Sequence, residues 1–337
     1  MDLSTTYMGL KLRNPLVASA SPLSHTVDGV RRLADAGVGA IVMHSLFEEQ
    51  LREEAELNAR LADAGTESFA ESLSYLPSAA DEDVGPHRYL TLVERAAAAV
   101  DVPVIASLNC ITPGAWTDYA RAMQDAGAAA IELNVYYVPG DPTTSGREVE
   151  QRQIDVLGRV KDAVTVPVAV KLSPHFSSTG EMALRLDGAG ADALVLFSRF
   201  MAPDVDTETL AVVPSLALSR PVDALLPRTW IALLRGRVHA ALAATTGVQD
   251  AADVAKYLLA GADVVMTASA LLRHGPEHAT VLLDGLSDWM VRKGFTDLDG
   301  VRGMLSVPPS TDGVAFERAG YVNALRAANA GVPGAWQ

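Results

Sequence analysis

A single cysteine, Cys110, stands in a chain of 337 residues. One thiol has no partner for an internal disulfide and cannot build a four-cysteine metal cluster. The compartment it implies is reducing. Positive charge is also scarce. There are 27 Lys and Arg against 41 Asp and Glu, a formal charge of −14. Non-specific nucleic-acid or anionic-membrane binding needs clustered Lys and Arg, so neither partner is expected. No run approaches the ~18 apolar residues of a membrane span. The N-terminal MDLSTTYMGLKLRNPLVASAS has no basic segment leading into an uninterrupted apolar stretch, so no signal peptide is expected. The seven histidines form no H-E-x-x-H pair, and no metal site is expected. There is no G-x-S-x-G elbow to support a serine triad.

What the chain does have is one recurring unit. Short apolar, β-branched runs alternate with Ala/Leu-rich amphipathic segments. Eight candidate strands cover residues 15–20, 40–45, 103–109, 130–136, 167–173, 193–198, 241–246 and 263–269. Each is largely apolar on both faces, as parallel strands covered by helices must be. Four follow an Ala-Gly helix ending, at Gly37, Gly127, Gly190 and Gly261, where a positive φ closes the helix. Two begin after V-x-V-P, and proline cannot continue a helix. Eight βα units in a row predict an α/β chain folded as a single-domain (β/α)8 TIM barrel. An open doubly wound sheet is the alternative, but no G-x-G-x-x-G follows the first strand. The barrel is expected over residues 1–292. An insertion at about 46–86 follows the second strand, either as a solvated excursion or as a lid. A C-terminal helical extension covers 293–337, with a helix near 316–329.

In such a barrel the chemistry lies at the strand C-termini. The polar residues there are Ser19, Ala20 and Ser21 after strand one, and His44 and Ser45, with Glu48 and Glu49 beyond, after strand two. Ser107 and Asn109 end strand three. Glu132, Asn134, Tyr136 and Tyr137 belong to strand four and its exit. Lys171 and Ser173 end strand five, and Ser198 and Arg199 strand six. Thr245, Thr246 and Gly247 follow strand seven, and Thr267, Ala268 and Ser269 strand eight. Taken singly, a Ser or Asn here serves equally well as a helix cap or loop residue. Lys171 carries more. A buried lysine costs several kcal/mol unless an anion or hydrogen-bonding group meets it. Its partner is either Glu132, itself puzzling in an apolar strand, or a ligand. Small residues and helix starts after strands seven and eight form a candidate phosphate site, with a helix expected at 248–260.

In combination these motifs resemble the dihydroorotate dehydrogenase family of FMN-dependent barrels, in the same order over most of residues 1–292. N-P-L-V-A-S-A-S at 14–21 resembles its first strand, whose backbone meets the flavin. E-L-N at 132–134 resembles its fourth strand, with Asn134 at a flavin- and substrate-contacting asparagine. V-K-L-S-P at 170–174 resembles the fifth, with Lys171 at the lysine that contacts the isoalloxazine. Thr245-Thr246-Gly247 and Ala268-Ser269 resemble the two FMN phosphate loops, and Asn109 a substrate asparagine. The resemblance implies FMN as cofactor, held also by Ser19, Ala20, Ser21, His44, Ser45 and Ser198. It implies Lys171 as a catalytic group, because positive charge near the flavin N1 stabilises the reduced form. It further implies a small-molecule substrate, a cytoplasmic enzyme and the family's homodimer.

The substrate side departs from the family. Its Cys or Ser base falls at Tyr137, a strand-two lysine at His44, a strand-six asparagine at Arg199, and a double glycine at Thr246-Gly247. Tyr137 is then the catalytic proton handler and Arg199 a carboxylate-gripping substrate residue. Dihydroorotate, or another cyclic or carboxylated compound, is the expected substrate. A Schiff-base aldolase using Lys171, or a flavin-binding barrel without catalysis, stands as an alternative.

Overall fold

The computed structural model describes residues 1–50, 86–109, 116–135, 140–199, 203–213 and 217–330. An antiparallel hairpin of β1 (Thr5–Tyr7) and β2 (Leu10–Leu12) precedes the barrel. The barrel strands are β3 (Leu16–Ala18), β4 (Ala40–Phe47), β5 (Val104–Asn109), β6 (Ala130–Asn134), β7 (Val168–Leu172), β8 (Ala193–Leu196), β11 (Ala241–Ala244) and β12 (Val264–Thr267). All pair in parallel in that order, and β12 returns to β3 to close the ring. A second hairpin, β9 (Asp204–Asp206) with β10 (Ala211–Val213), leaves the ring after β8. The outer helices are α1 (Val27–Asp35), α2 (Pro86–Ala99), α3 (Trp116–Asp125), α4 (Gly146–Ala163), α5 (Thr179–Gly188), α6 (Leu225–Leu234), α7 (Ala251–Ala260), α8 (Ser269–His274) and α9 (His278–Lys293). A last helix, α10 (Gly313–Asn329), follows.

The expected (β/α)8 barrel is therefore present, with all eight strands where the apolar runs place them. The four Ala-Gly glycines all take positive φ. Along each strand, alternate residues serve two cores, because successive side chains point to opposite faces. Outward residues such as Leu16, Ile41, Leu108, Ile131 and Leu194 pack under the helices. Inward residues Ala130, Ala169, Ala193 and Ala243 are small and line the lower lumen. The space they leave is filled from below by Tyr7, Met8 and Leu12 of the first hairpin.

Carboxylates stitch the lower rim. The Asp192 carboxylate accepts the Val168 N–H (2.7 Å) and pairs with Lys161. Asp263 does the same for Leu242 N–H (2.9 Å) and pairs with Arg235. These are the aspartates of the two G-A-D turns. Each supplies an acceptor to a backbone N–H near the start of a neighbouring strand, so that this donor is satisfied.

Most strands are shorter than expected: β3, β6, β11 and β12 each end two residues early. Three further boundaries bear on the site. β4 runs to Phe47 rather than to 45, because a bulge between Val42 and Ser45 restarts its pairing with β5. Just past the bulge Ser107 is in register with Ser45. There the buried Tyr89 hydroxyl accepts from Ser107 N–H (2.9 Å) and donates to Ser107 C=O (3.2 Å). β8 ends at Leu196, two residues early. The helix expected from 248 begins at Ala251, where Asp250 and Asp253 form a reciprocal cap. Its first amides are thus already held by carboxylates, and Thr245–Gln249 form a loop instead.

Of the insertion expected at 46–86, residues 51–85 lie outside the described residues. In the C-terminal extension, Gly303 and Leu305 N–H donate to carbonyls of α7, and Val307 N–H to one of α6. Most α10 side chains, in contrast, are exposed. No described helix is long and apolar enough to cross a membrane.

Candidate active site

The C-terminal ends of the strands converge on one polar mouth. At its base Lys171 Nζ lies 3.2 Å from Glu132 Oε1 and 3.4 Å from Ser19 Oγ. Of the two partners open to Lys171 from sequence, Glu132 or a ligand, Glu132 is the one the structure pairs with it. Glu132 is 1% exposed and Lys171 9%. A pair so deep costs desolvation that only good mutual geometry offsets, and losing one partner strands the other. The second carboxylate oxygen, Glu132 Oε2, has no hydrogen-bond partner among the described residues.

From Lys171 a cleft of about 310 Å³ runs toward the ends of β8, β11 and β12. It is lined by Ala20, Ser21, Lys171, Ser198, Arg199, Thr245, Thr246, Gly247, Ala268 and Ser269. With Thr267, which also lines it, eleven of the residues singled out from sequence share one cavity, joined by Ser19 through its contact with Lys171. Asn134 stands beside it, its Oδ1 accepting from Ser198 Oγ (3.0 Å). Asn109 is its register partner on β5. Ser45 pairs with Ser107 (2.8 Å), one strand further round. Among the described residues no His, Cys, Asp or Glu cluster could hold a metal.

The far end of the cleft is a tight turn. Thr246 has φ +81 and Gly247 φ +74. A left-handed threonine is uncommon, and here Thr246 Oγ1 donates to Phe197 C=O (3.1 Å). The buried Tyr257 of α7 braces the turn, its hydroxyl placed 3.1 Å from the Thr245 carbonyl and 2.7 Å from that of Thr246. Gly247 is required by space. A Cβ there would meet Ala224 Cβ at 2.7 Å and the Arg220 carbonyl at 2.9 Å. Gly247 N–H donates to Ser219 Oγ (3.1 Å), which lies 2.9 Å from Ser269 Oγ. A small cluster of hydroxyls and amides results.

Two sequence-selected residues point elsewhere. His44 is half-buried against His25 and Tyr89, with Nδ1 3.4 Å from the Ser24 carbonyl. Burial first, and then the His25 charge, push its pKa down to about 4. It is a neutral ring beside the mouth and does not line the cleft. Arg199 lines the cleft, but its guanidinium donates to the Ala217 carbonyl. Tyr136 and Tyr137 lie outside the described residues.

Ser219 and Tyr257 escaped the sequence reading. Ser219 sits in a long connection with no periodicity, and only its place two residues before Pro221 hints at a turn. Tyr257 gave a better signal. A tyrosine inside the apolar helix A-A-D-V-A-K-Y-L-L-A buries a hydroxyl that must find a partner.

A closed parallel barrel with an ion-paired lysine and a hydroxyl-lined cleft at its C-terminal mouth has the architecture of a (β/α)8 enzyme. A family model described as dihydroorotate dehydrogenase matches residues 2–290. The chain belongs to that family, which is one of oxidoreductases. It is similar to the "Dihydroorotate dehydrogenase B (NAD(+)), catalytic subunit" of Methanothermobacter thermautotrophicus, 26% identical over 90% of this chain and 98% of the relative. The protein of the same name from Methanocella arvoryzae is 28% identical over 90% of this chain and 98% of its own. The "NAD-dependent dihydropyrimidine dehydrogenase subunit PreA" of Escherichia coli is 24% identical over 92% of this chain and 79% of its own.

Proposed function

We propose that the chain is an FMN-dependent oxidoreductase acting on a CH–CH bond of a cyclic substrate, either dihydroorotate or a related dihydropyrimidine. The observation that carries this reading is the buried Lys171 at the inner end of a cleft whose outer end is the Thr246–Gly247 turn. The turn keeps glycine-like backbone angles at Thr246, a position where the family has glycine. That retained geometry, and the hydroxyl and amide donors of Ser219, Gly247 and Ser269, fit a phosphate. The cleft between them fits a flat ring next to a cation. Ala20, Ser21, Ser198, Thr245, Thr246, Gly247, Ala268 and Ser269 would hold the cofactor, with Asn134 and Ser19 beside Lys171.

Bound FMN supplies the two-electron chemistry. The protein's own groups do the rest. Lys171 presents fixed positive charge in a site of low dielectric, where charge acts more strongly than in water. Asn109 and Asn134 offer amide donors and acceptors to a ring, and Arg199 a planar donor to a carboxylate. Tyr137 handles the substrate proton. A Schiff-base role for Lys171 has less support, since that chemistry needs a free amine and Lys171 is ion-paired. The reading includes a cytoplasmic location, a homodimer and no nucleic-acid or membrane partner. It also keeps one catalytic domain, 1–292, and an extension, 293–337.

The test is anaerobic mixing of the FMN-loaded protein with dihydroorotate, dihydrouracil and dihydrothymine. Bleaching of the flavin band by one of them supports the reading. Absence of bleaching by all of them, with dithionite still reducing the bound flavin, removes this substrate class.

A further inference from the structure

The ion pair has a feature that holding a lysine does not require. Glu132 lies deeper than Lys171, at 1% against 11% side-chain exposure, so the carboxylate is on the lumen side and the ammonium on the mouth side. Lys171 is the carboxylate's hydrogen-bond donor, and Oε2 has none among the described residues. From below, Tyr7 of the first hairpin packs into the lumen. Its hydroxyl is also buried with no hydrogen-bond partner among the described residues. Burial first, and then the charges of Glu132 and Asp263, push the Tyr7 phenol well above its usual range. Tyr7 is therefore a neutral dipole and not a counter-ion. No other salt-bridge partner of Glu132 stands among the described residues, so its negative charge is matched by Lys171 alone.

We propose that Glu132 is a positioning residue and counter-charge for Lys171, which fixes the ammonium at the inner end of the cleft and would limit how far its charge raises the reduction potential of a flavin held there. The inference rests on the FMN reading above. Any group bound over Lys171 feels two opposed charges about 3 Å apart, the nearer positive and the farther negative. At such separations in a dry site, the farther charge cancels a sizeable part of the nearer one. Ser19 Oγ, at 3.4 Å, gives Nζ a second fixed contact, so the ammonium is held from two directions. The arrangement trades electrophilic pull for a fixed position.

The test is the two-electron midpoint potential of bound FMN, with its affinity measured in parallel. Glu132→Gln keeps shape and a hydrogen-bond acceptor but removes the charge. It is expected to favour the reduced form at least tenfold over the oxidised form, a rise of about 30 mV. Glu132→Asp keeps the charge and should stay near the wild-type potential, as should Tyr7→Phe, which changes lumen packing without changing the pair's charge. Should E132Q not fold, the charge-balanced Lys171→Met/Glu132→Gln protein replaces it. Its potential should lie above that of Lys171→Met alone by the same tenfold criterion. A potential at or below the reference in a variant that still holds FMN overturns the role of Glu132. Wild-type protein that takes up no FMN overturns the cofactor reading itself, so the two failures are distinct.

Discussion

Replacing Gly247 with alanine tests whether the turn at the end of β11 is the anion-binding end of the cleft. The new methyl would sit 2.7 Å from both Ala224 Cβ and Ala224 N, and 2.9 Å from the Arg220 carbonyl. Two of these three atoms are backbone, so a side-chain rotation cannot relieve the clash. The φ of +74 adds a second penalty. A left-handed non-glycine residue costs about 1–2 kcal/mol. Overpacking against fixed atoms costs about 1–3 kcal/mol. Together they make about 2–5 kcal/mol available to push the turn away from Pro221–Ala224 and break the Gly247 N–H to Ser219 Oγ bond. If the turn holds the phosphate, part of this energy appears as lost FMN affinity. A loss of about 1.4 kcal/mol is tenfold in Kd. The rest appears as lost stability. Urea unfolding of the FMN-free protein and flavin-fluorescence titration read the two parts separately. Gly247→Ala protein with both the wild-type unfolding midpoint and the wild-type FMN affinity would refute the reasoning.

Other outcomes follow from the same contacts. Lys171→Ala leaves the Glu132 carboxylate buried and unpaired and should destabilise the fold by about 3–5 kcal/mol; a Lys171→Met/Glu132→Leu protein, apolar at both positions, should recover most of that in urea unfolding. Tyr257→Phe removes the donor bracing the Thr245 and Thr246 carbonyls and should cost about 1–3 kcal/mol, with a weakened FMN affinity in titration. His44 is held near pKa 4 in the fold and titrates near 6.5 when unfolded, so the unfolded chain binds the extra proton first as pH falls. Stability should be level above about pH 6.5 in this respect and decline from there toward pH 4. The His44→Phe protein should show a shallower decline in unfolding midpoints over that window.

The barrel was legible because its signals are local and repeated. Apolar runs at regular spacing, Ala-Gly helix endings and V-x-V-P strand starts all repeat along the chain, and each reflects a constraint that acts on a few neighbouring residues. The Glu132–Lys171 pair was legible for a related reason. Two charges in apolar strands have few places to go, and β6 and β7 are neighbours. The turn at the outer end of the cleft was legible only in outline. The helix start expected at 248 fell instead at Ala251, because the Asp250–Asp253 cap is a side-chain arrangement that apolar periodicity does not report. Ser219 reaches the cleft from about twenty residues beyond β8, by a path that only the folded chain defines. His44 resembled a site residue by position, yet the β4 bulge turns it toward His25 and Tyr89. A one-residue irregularity of that kind leaves no trace in an alternating pattern.

The most direct measurement of the central claim is the absorbance spectrum of the purified protein, followed by identification of whatever is released on denaturation. A yellow protein releasing FMN at one per chain is the expected result. A colourless protein that also fails to take up added FMN would contradict it, and would leave the cleft between Lys171 and the Thr246–Gly247 turn to a different ligand.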